Sequence, residues 1–250
     1  DVSVLGSEDV IDAVKTQSLY AFTLRNNPIN LDLWKYLWNS SGTGASSPDS
    51  SLSFTYSFTL NGTEYYQHMR GCRPTSGTLS VSRGMWDQSL TFIAKDITVP
   101  ATSTGDGGTP VYTSTETTSS PIVHSDGGGS PLTWNSVGYG ERSFSTTVNR
   151  NMAVMAVNGE TDITYTKATD RGITFTADVF AGTASNETTL YTDYEGKTAR
   201  AASYKFNSTG PITLTYANSI ITDYSYTHAA GSADALIESV TCRAESVTNL

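Results

Sequence analysis

From Ser51 to Leu60 the chain alternates without a fault, with Leu52, Phe54, Tyr56, Phe58 and Leu60 on one side and Ser53, Thr55, Ser57 and Thr59 on the other. A period of two predicts a strand with one apolar and one hydroxyl-bearing face. Asn61-Gly62 follows, a dipeptide that accepts the positive φ angles of a type I′ turn, so Thr63–Met69 is expected to return antiparallel. Thr78–Ser82, a turn around Gly84 and Gln88–Val99 predict a second pair, with Leu90, Phe92 and Ala94 facing inward. Before them lie a strand-like stretch, Ser18–Leu24, and one helix. Asn27 is placed to cap it and Pro28 suits its first turn, while Ile29, Leu33, Trp34, Leu37 and Trp38 share a face and Ser40-Ser41-Gly42 ends it.

From Pro100 to Pro131 the apolar pattern dissolves into Thr, Ser, Gly and Pro, which predicts a long loop or linker. Strand patterns resume at Arg142–Val148, Met152–Val157, Asp162–Lys167 and Ile173–Phe180, with Asn158-Gly159 and Arg171-Gly172 read as the turns of a meander. Ser185–Tyr194 reads as a second short helix, capped by Ser185 or Asn186 with Glu187 in its first turn. Tyr204–Phe206, Ile212–Tyr216, Ile220–Thr227 and Ala235–Val247 complete the strands. The fold class expected is mainly β, a β-sandwich flanked by one or two short helices. Three segments are expected: 1–99, a first half; 100–131, the linker; and 132–250, a second half or second copy of the first. On the second option Leu90–Asp96 (LTFIAKD) and Val240–Ser246 (VTCRAES) are equivalent closing strands.

Composition agrees with sheet. Ser and Thr make up roughly a quarter of the chain, Tyr is abundant, and Leu, Lys and Glu are sparse. At 250 residues the core needs no staples, and no apolar run reaches the roughly twenty residues a membrane helix needs, so no membrane insertion is expected. A formal charge of −9 opposes binding to a phosphate backbone.

The chemistry-bearing residues do not assemble into a motif. His68, His124 and His228 stand apart from one another and from the cysteines, and Cys72 and Cys242 lack the CxxC spacing of a metal site, so buried thiols or one disulfide are the readings left for them. There is no GxSxG elbow, HExxH helix, phosphate-binding glycine loop or EF-hand spacing; Glu8 and Asp9 read as solvated loop charge. No enzyme, metal or cofactor is expected. The sequons at Asn39, Asn61, Asn186 and Asn207 matter only in a glycosylating host, and Trp34, Trp38, Trp86 and Trp134 would be needed at the surface for a sugar-binding platform.

The stretch Leu52–Ile97 carries a resemblance. An alternating strand and hairpin lead through Arg70-Gly71-Cys72-Arg73 into Leu79-Ser80-Val81 and then Phe92-Ile93-Ala94-Lys95-Asp96, with the Asn27–Gly44 helix before them and closing strands over Ile212–Asn249. This resembles the major tail tube proteins of long-tailed phages and archaeal tailed viruses. The resemblance implies a virion tail protein whose copies form trimeric or hexameric rings stacked into a tube. Double-stranded DNA would pass through the lumen unbound, and the tube would meet other tail proteins. It implies three chains per ring if the halves are duplicated and six if not. Inter-subunit sheet or packing contacts are expected from Leu52, Phe54, Tyr56, Phe58 and Leu60, and acidic lumen positions from Glu64 and Asp87, which lie near turns. The alternative is a cell-surface adhesin or carbohydrate-binding β-sandwich, which would be a monomer with a ligand face.

Overall fold

The computed structural model describes residues 20–28, 31–38, 51–82, 84–98, 101, 131–155, 165–180, 184–206, 213–227 and 237–249. Strand dominates them, in thirteen antiparallel strands and two short helices. The elements in chain order are β1 (Tyr20–Asn26), a 3-10 turn (Asp32–Trp34) running into α1 (Lys35–Trp38), β2 (Leu52–Leu60), β3 (Thr63–Ser82), β4 (Met85–Ala94) and β5 (Asp96–Ile97). After them come β6 (Leu132–Trp134), β7 (Val137–Tyr139), β8 (Glu141–Met155), β9 (Tyr165–Phe180), α2 (Ala184–Glu195), β10 (Arg200–Lys205), β11 (Thr213–Thr227), β12 (Ile237–Ala244) and β13 (Ser246–Asn249).

Seven strands form a main sheet in the order β1-β4-β3-β8-β9-β12-β11. Two strands serve two layers. The second part of β3 pairs β4 and β8 in the main sheet, while its first part pairs β2 and β5 in a small sheet. In the same way β11 pairs β12 with its second part, and β10 and β13 with its first; β6 and β7 extend that second small sheet beyond β10. The turn into the new layer is made at Gly71, whose φ of +60° suits glycine and where a Cβ would lie 2.8 Å from Lys95 Cβ.

Between the layers lies an aromatic core. In the first half Phe22 stacks on Phe92 at 5.3 Å and both meet Phe54 of the small sheet edge-on. In the second half Phe144 stacks on Tyr204 at 3.9 Å and Phe175 packs on Tyr216 at 4.6 Å. Leu90, Phe92 and Ala94 all point inward, as their alternation required.

The helices close the ends of this core. A Cβ on Gly77 of β3 would lie 2.6 Å from Leu37, 2.8 Å from Leu90 and 2.9 Å from Trp34, so α1 rests directly on bare backbone. Arg150 and Arg171, paired across β8 and β9, donate to the carbonyls of Leu37 and Trp38 and so satisfy the end of α1 with cations. On α2 the buried Asp193 accepts from Trp134 Nε1 (2.9 Å) and from Arg200 through both Nε and Nη2. Burial alone would raise its carboxyl, and these donors hold it below the usual carboxylate range.

Several expectations are corrected. Asn27 does not cap a helix: its side chain donates to the Trp86 carbonyl at 2.8 Å, because the residue still follows β1 beside β4, and the turn begins only at Asp32. Arg171-Gly172 is not a turn. Both lie inside β9, where the ladder to β8 runs on through Arg150↔Arg171 and Asn149↔Gly172, so four expected strands are two long ones with a bulge between Arg150 and Met152. Ala235–Val247 is likewise divided, β12 ending at Ala244 and β13 beginning at Ser246. Cys72 and Cys242 are buried free thiols, and burial pushes Cys72 up to about 11 and Cys242 higher. Except for Ala101, which bridges Tyr66, and the residue at 131, the expected linker lies outside the described residues, as do His124 and His228.

Replacing Gly77 with Ala places a methyl where three side chains already sit, so urea unfolding should show a loss of about 1–3 kcal/mol; an unchanged midpoint would contradict this packing. A second test concerns pH. Burial pushes Glu141 up from 4.5 to about 7, against the lowering effect of the Tyr204 hydroxyl that donates to it. The folded chain therefore binds this proton more tightly than the unfolded chain, and the stability it contributes below pH 4.5 is lost as pH rises through 7. Glu141→Gln should flatten the fall in melting temperature across that window, and an unchanged pH slope would show that Glu141 does not set it.

Candidate assembly surfaces

The main sheet has one face against the core and one free of it. Alternation within each strand sends hydroxyls to the free face: Thr78 and Ser80 of β3, Ser145 and Thr147 of β8, Thr174 and Thr176 of β9, Ser239 and Thr241 of β12. They bond across the strands, Thr23 with Thr91 at 3.1 Å and Thr78 with Thr147 at 3.2 Å. Asp178 accepts from Ser143 at 2.8 Å and from Ser239 at 2.6 Å, which leaves its charge well screened. Arg25 and Arg243 stand against Asp87, Asp178 and Asp223 on this face, so its charge is close to balanced.

The second surface is an arm. Beyond Phe54 the apolar side of β2 has few partners among the described residues: Tyr56 is 56% and Leu60 55% exposed, and Phe58 stacks on Tyr65 of β3 at 5.6 Å. Asn61 (φ 50°) and Gly62 (φ 77°) make the predicted tight turn at the tip. His68 belongs to this arm and shares a 2.9 Å hydrogen bond with Thr55.

Of the residues expected to matter, Leu52 and Phe54 reach the core and Tyr56, Phe58 and Leu60 line the arm. The two acids are not brought together. Glu64 is exposed at the arm's tip opposite Thr59, whereas Asp87 is exposed on the hydroxyl face opposite Ser80, beside Arg25 in a shallow polar depression. Sequence reading missed Arg25, Asp178, Asp223 and Arg243. Their place among alternating hydroxyl positions was the available signal, but it assigns a face only once the inward set is known. Trp34, Trp38, Trp86 and Trp134 are all buried, so they form no sugar-stacking platform. Among the described residues no cluster of His, Cys, Asp and Glu could hold a metal. Among the described residues no helix is long and apolar enough to cross a membrane.

Comparison with known proteins gives one sequence match, over residues 18–244, to the family model described as phage tail tube protein. No curated protein matches the chain. Among solved structures, Hcp1 from Flavobacterium johnsoniae is similar, at 16% identity and a TM-score of 0.30, over 47% of this chain and 91% of that one.

Replacing Tyr56 and Phe58 together with Ser should lower monomer stability by less than about 1 kcal/mol, because their rings meet chiefly one another and Tyr65. A loss as large as that of a core aromatic, roughly 3 kcal/mol or more, would show that the arm is covered by its own chain.

Proposed function

The chain belongs to the phage tail tube protein family, and from that premise we propose that its copies close into rings, stack, and form a hollow conduit through which double-stranded DNA leaves the virion. The coarser part is a property of the family: this is a structural protein of the virion tail and not a member of an enzyme family. The single observation that carries the finer part is the seven-stranded main sheet with a free, hydroxyl-lined face.

On this reading that face lines the lumen. DNA sliding past it meets short polar side chains already bonded to one another and few unpaired cations, so the counterion-releasing contacts that make proteins grip a duplex are scarce. Among the two acids expected there, Asp87 takes a lumen position and Glu64 a place at the tip of the arm. On the apolar side of β2, Tyr56, Phe58 and Leu60 serve ring-to-ring packing while Leu52 and Phe54 stay with the core, and other tail proteins meet the tube at its ends. Because the chain draws its sheet pattern twice, three chains complete a ring of six patterns.

The purified chain should show concentration-dependent growth from monomer to large assemblies on a sizing column. Thr147→Arg combined with Thr176→Arg should leave assembly intact while slowing DNA ejection at low salt, where phosphate contacts are strongest. A persistent monomer would overturn the tube, and unaltered ejection from tubes of the double variant would overturn the assignment of the lumen face.

A further inference from the structure

Asparagine followed by glycine is a chemically perishable pair, because a glycine puts no side chain in the way of its own amide nitrogen as that nitrogen approaches the preceding side-chain carbonyl. The sequence holds two such pairs, Asn61-Gly62 and Asn158-Gly159, and the second lies outside the described residues. Asn61-Gly62 is the turn between β2 and β3, at the tip of the arm.

The turn leaves this chemistry open. The ladder closes at Leu60↔Thr63, so the Gly62 nitrogen lies outside it. Both turn residues are exposed, and a Cβ on Gly62 would meet nothing within 4 Å, which leaves room for a ring to close and for water to enter. The tip can also open at little cost, since the core contacts of β2 end at Phe54 and both Tyr56 and Leu60 are more than half exposed. Two other asparagines with positive φ lack this combination. Asn218 donates its amide to Glu245 and precedes Ser219, which is fully buried, and Asn135 precedes Ser136, whose side chain crowds the attacking nitrogen.

We propose that Asn61 is a self-modifying site, which converts to aspartate and isoaspartate in the unassembled chain and so limits the time in which a free subunit can join a tube. The Gly62 nitrogen attacks the Asn61 side-chain carbonyl carbon. A new C–N bond forms, the bond to the side-chain nitrogen breaks, and ammonia leaves with the proton that Gly62 gives up. Water then opens the five-membered imide at one carbonyl or the other. Water is the only co-reactant, and nothing is oxidised or reduced. Either product adds a negative charge to a tip that already carries Glu64, and isoaspartate also lengthens the backbone inside the turn that sets the β2–β3 register. The limit on assembly rests on the ring reading above; the conversion itself does not.

Two measurements on the full chain test the two parts. Folded monomer is aged in warm, mildly alkaline buffer, where the attacking nitrogen loses its proton more readily, and the peptide holding position 61 is followed by mass spectrometry. It should gain the mass of an amide-to-acid exchange, partly as isoaspartate, faster than the peptides holding Asn135 and Asn218 and faster than in acid buffer. An unaged Asn61→Asp chain should need a several-fold higher concentration to assemble than fresh wild type, while Asn61→Gly should assemble as wild type does and keep that capacity on ageing. Asp-Gly and Gly-Gly both suit a type I′ turn, so both variants keep the hairpin. A 61-containing peptide that stays unchanged, or changes no faster than the other two, would overturn the site. Conversion with Asn61→Asp assembling like wild type would overturn the limit and leave the tube standing. Conversion in a fresh wild type that never leaves the monomer would overturn the tube and leave the site standing.

Discussion

Neither β3 nor β11 fits within a single sheet, and the architecture follows from how each of them bends. A single sheet has two faces and can bury only one against something else, so a chain of this size needs a second layer. Here the second layer is made from the same strands. Each runs in the main sheet, passes a bulge at Thr75 or Thr222, and continues in a small sheet that folds back over the core. Each bulge lies inside its main-sheet ladder, and Gly71 supplies the positive φ against the side chain of Lys95.

Once the layers face each other, the rest is a matter of filling and satisfying. Aromatic rings occupy the gap. Each helix covers the same place on its half, but the volumes are traded: Trp34 and Leu37 press on Gly77 in one, and in the other the large residue is Tyr224 on the strand, met by Tyr191 and Tyr194 of α2. The polar ends are closed with charge, by Arg150 and Arg171 at α1 and by Asp193 with Arg200 at α2. Among the described residues this leaves the hydroxyl-bearing face of the main sheet clear of the core.

Much of this was legible in the sequence where local chemistry decides. The alternation of Leu52–Leu60, the Asn61-Gly62 turn, the inward set Leu90, Phe92 and Ala94 and the helix near Ser185–Tyr194 all depend on neighbours a few residues away. Where tertiary contacts decide, the sequence misled. Arg171-Gly172 has turn composition, yet its residues are held straight by a ladder to β8, and Gly172 has open space where a Cβ would stand. The hairpin of β6 and β7 escaped notice because its turn, Asn135-Ser136, lacks the usual glycine although both residues take positive φ. Which face of the main sheet is free could not be read from alternation alone, since hydroxyls mark a face without saying what lies beyond it.

The central claim is that the hydroxyl-bearing face of the main sheet surrounds a channel. Electron cryomicroscopy of tubes assembled from the purified chain tests it most directly. The account predicts a hollow cross-section with Thr147, Thr176 and Asp178 on the inner wall and the small sheets outside; a tube whose inner wall is built from the small sheets or the helices, or particles with no channel, would contradict it.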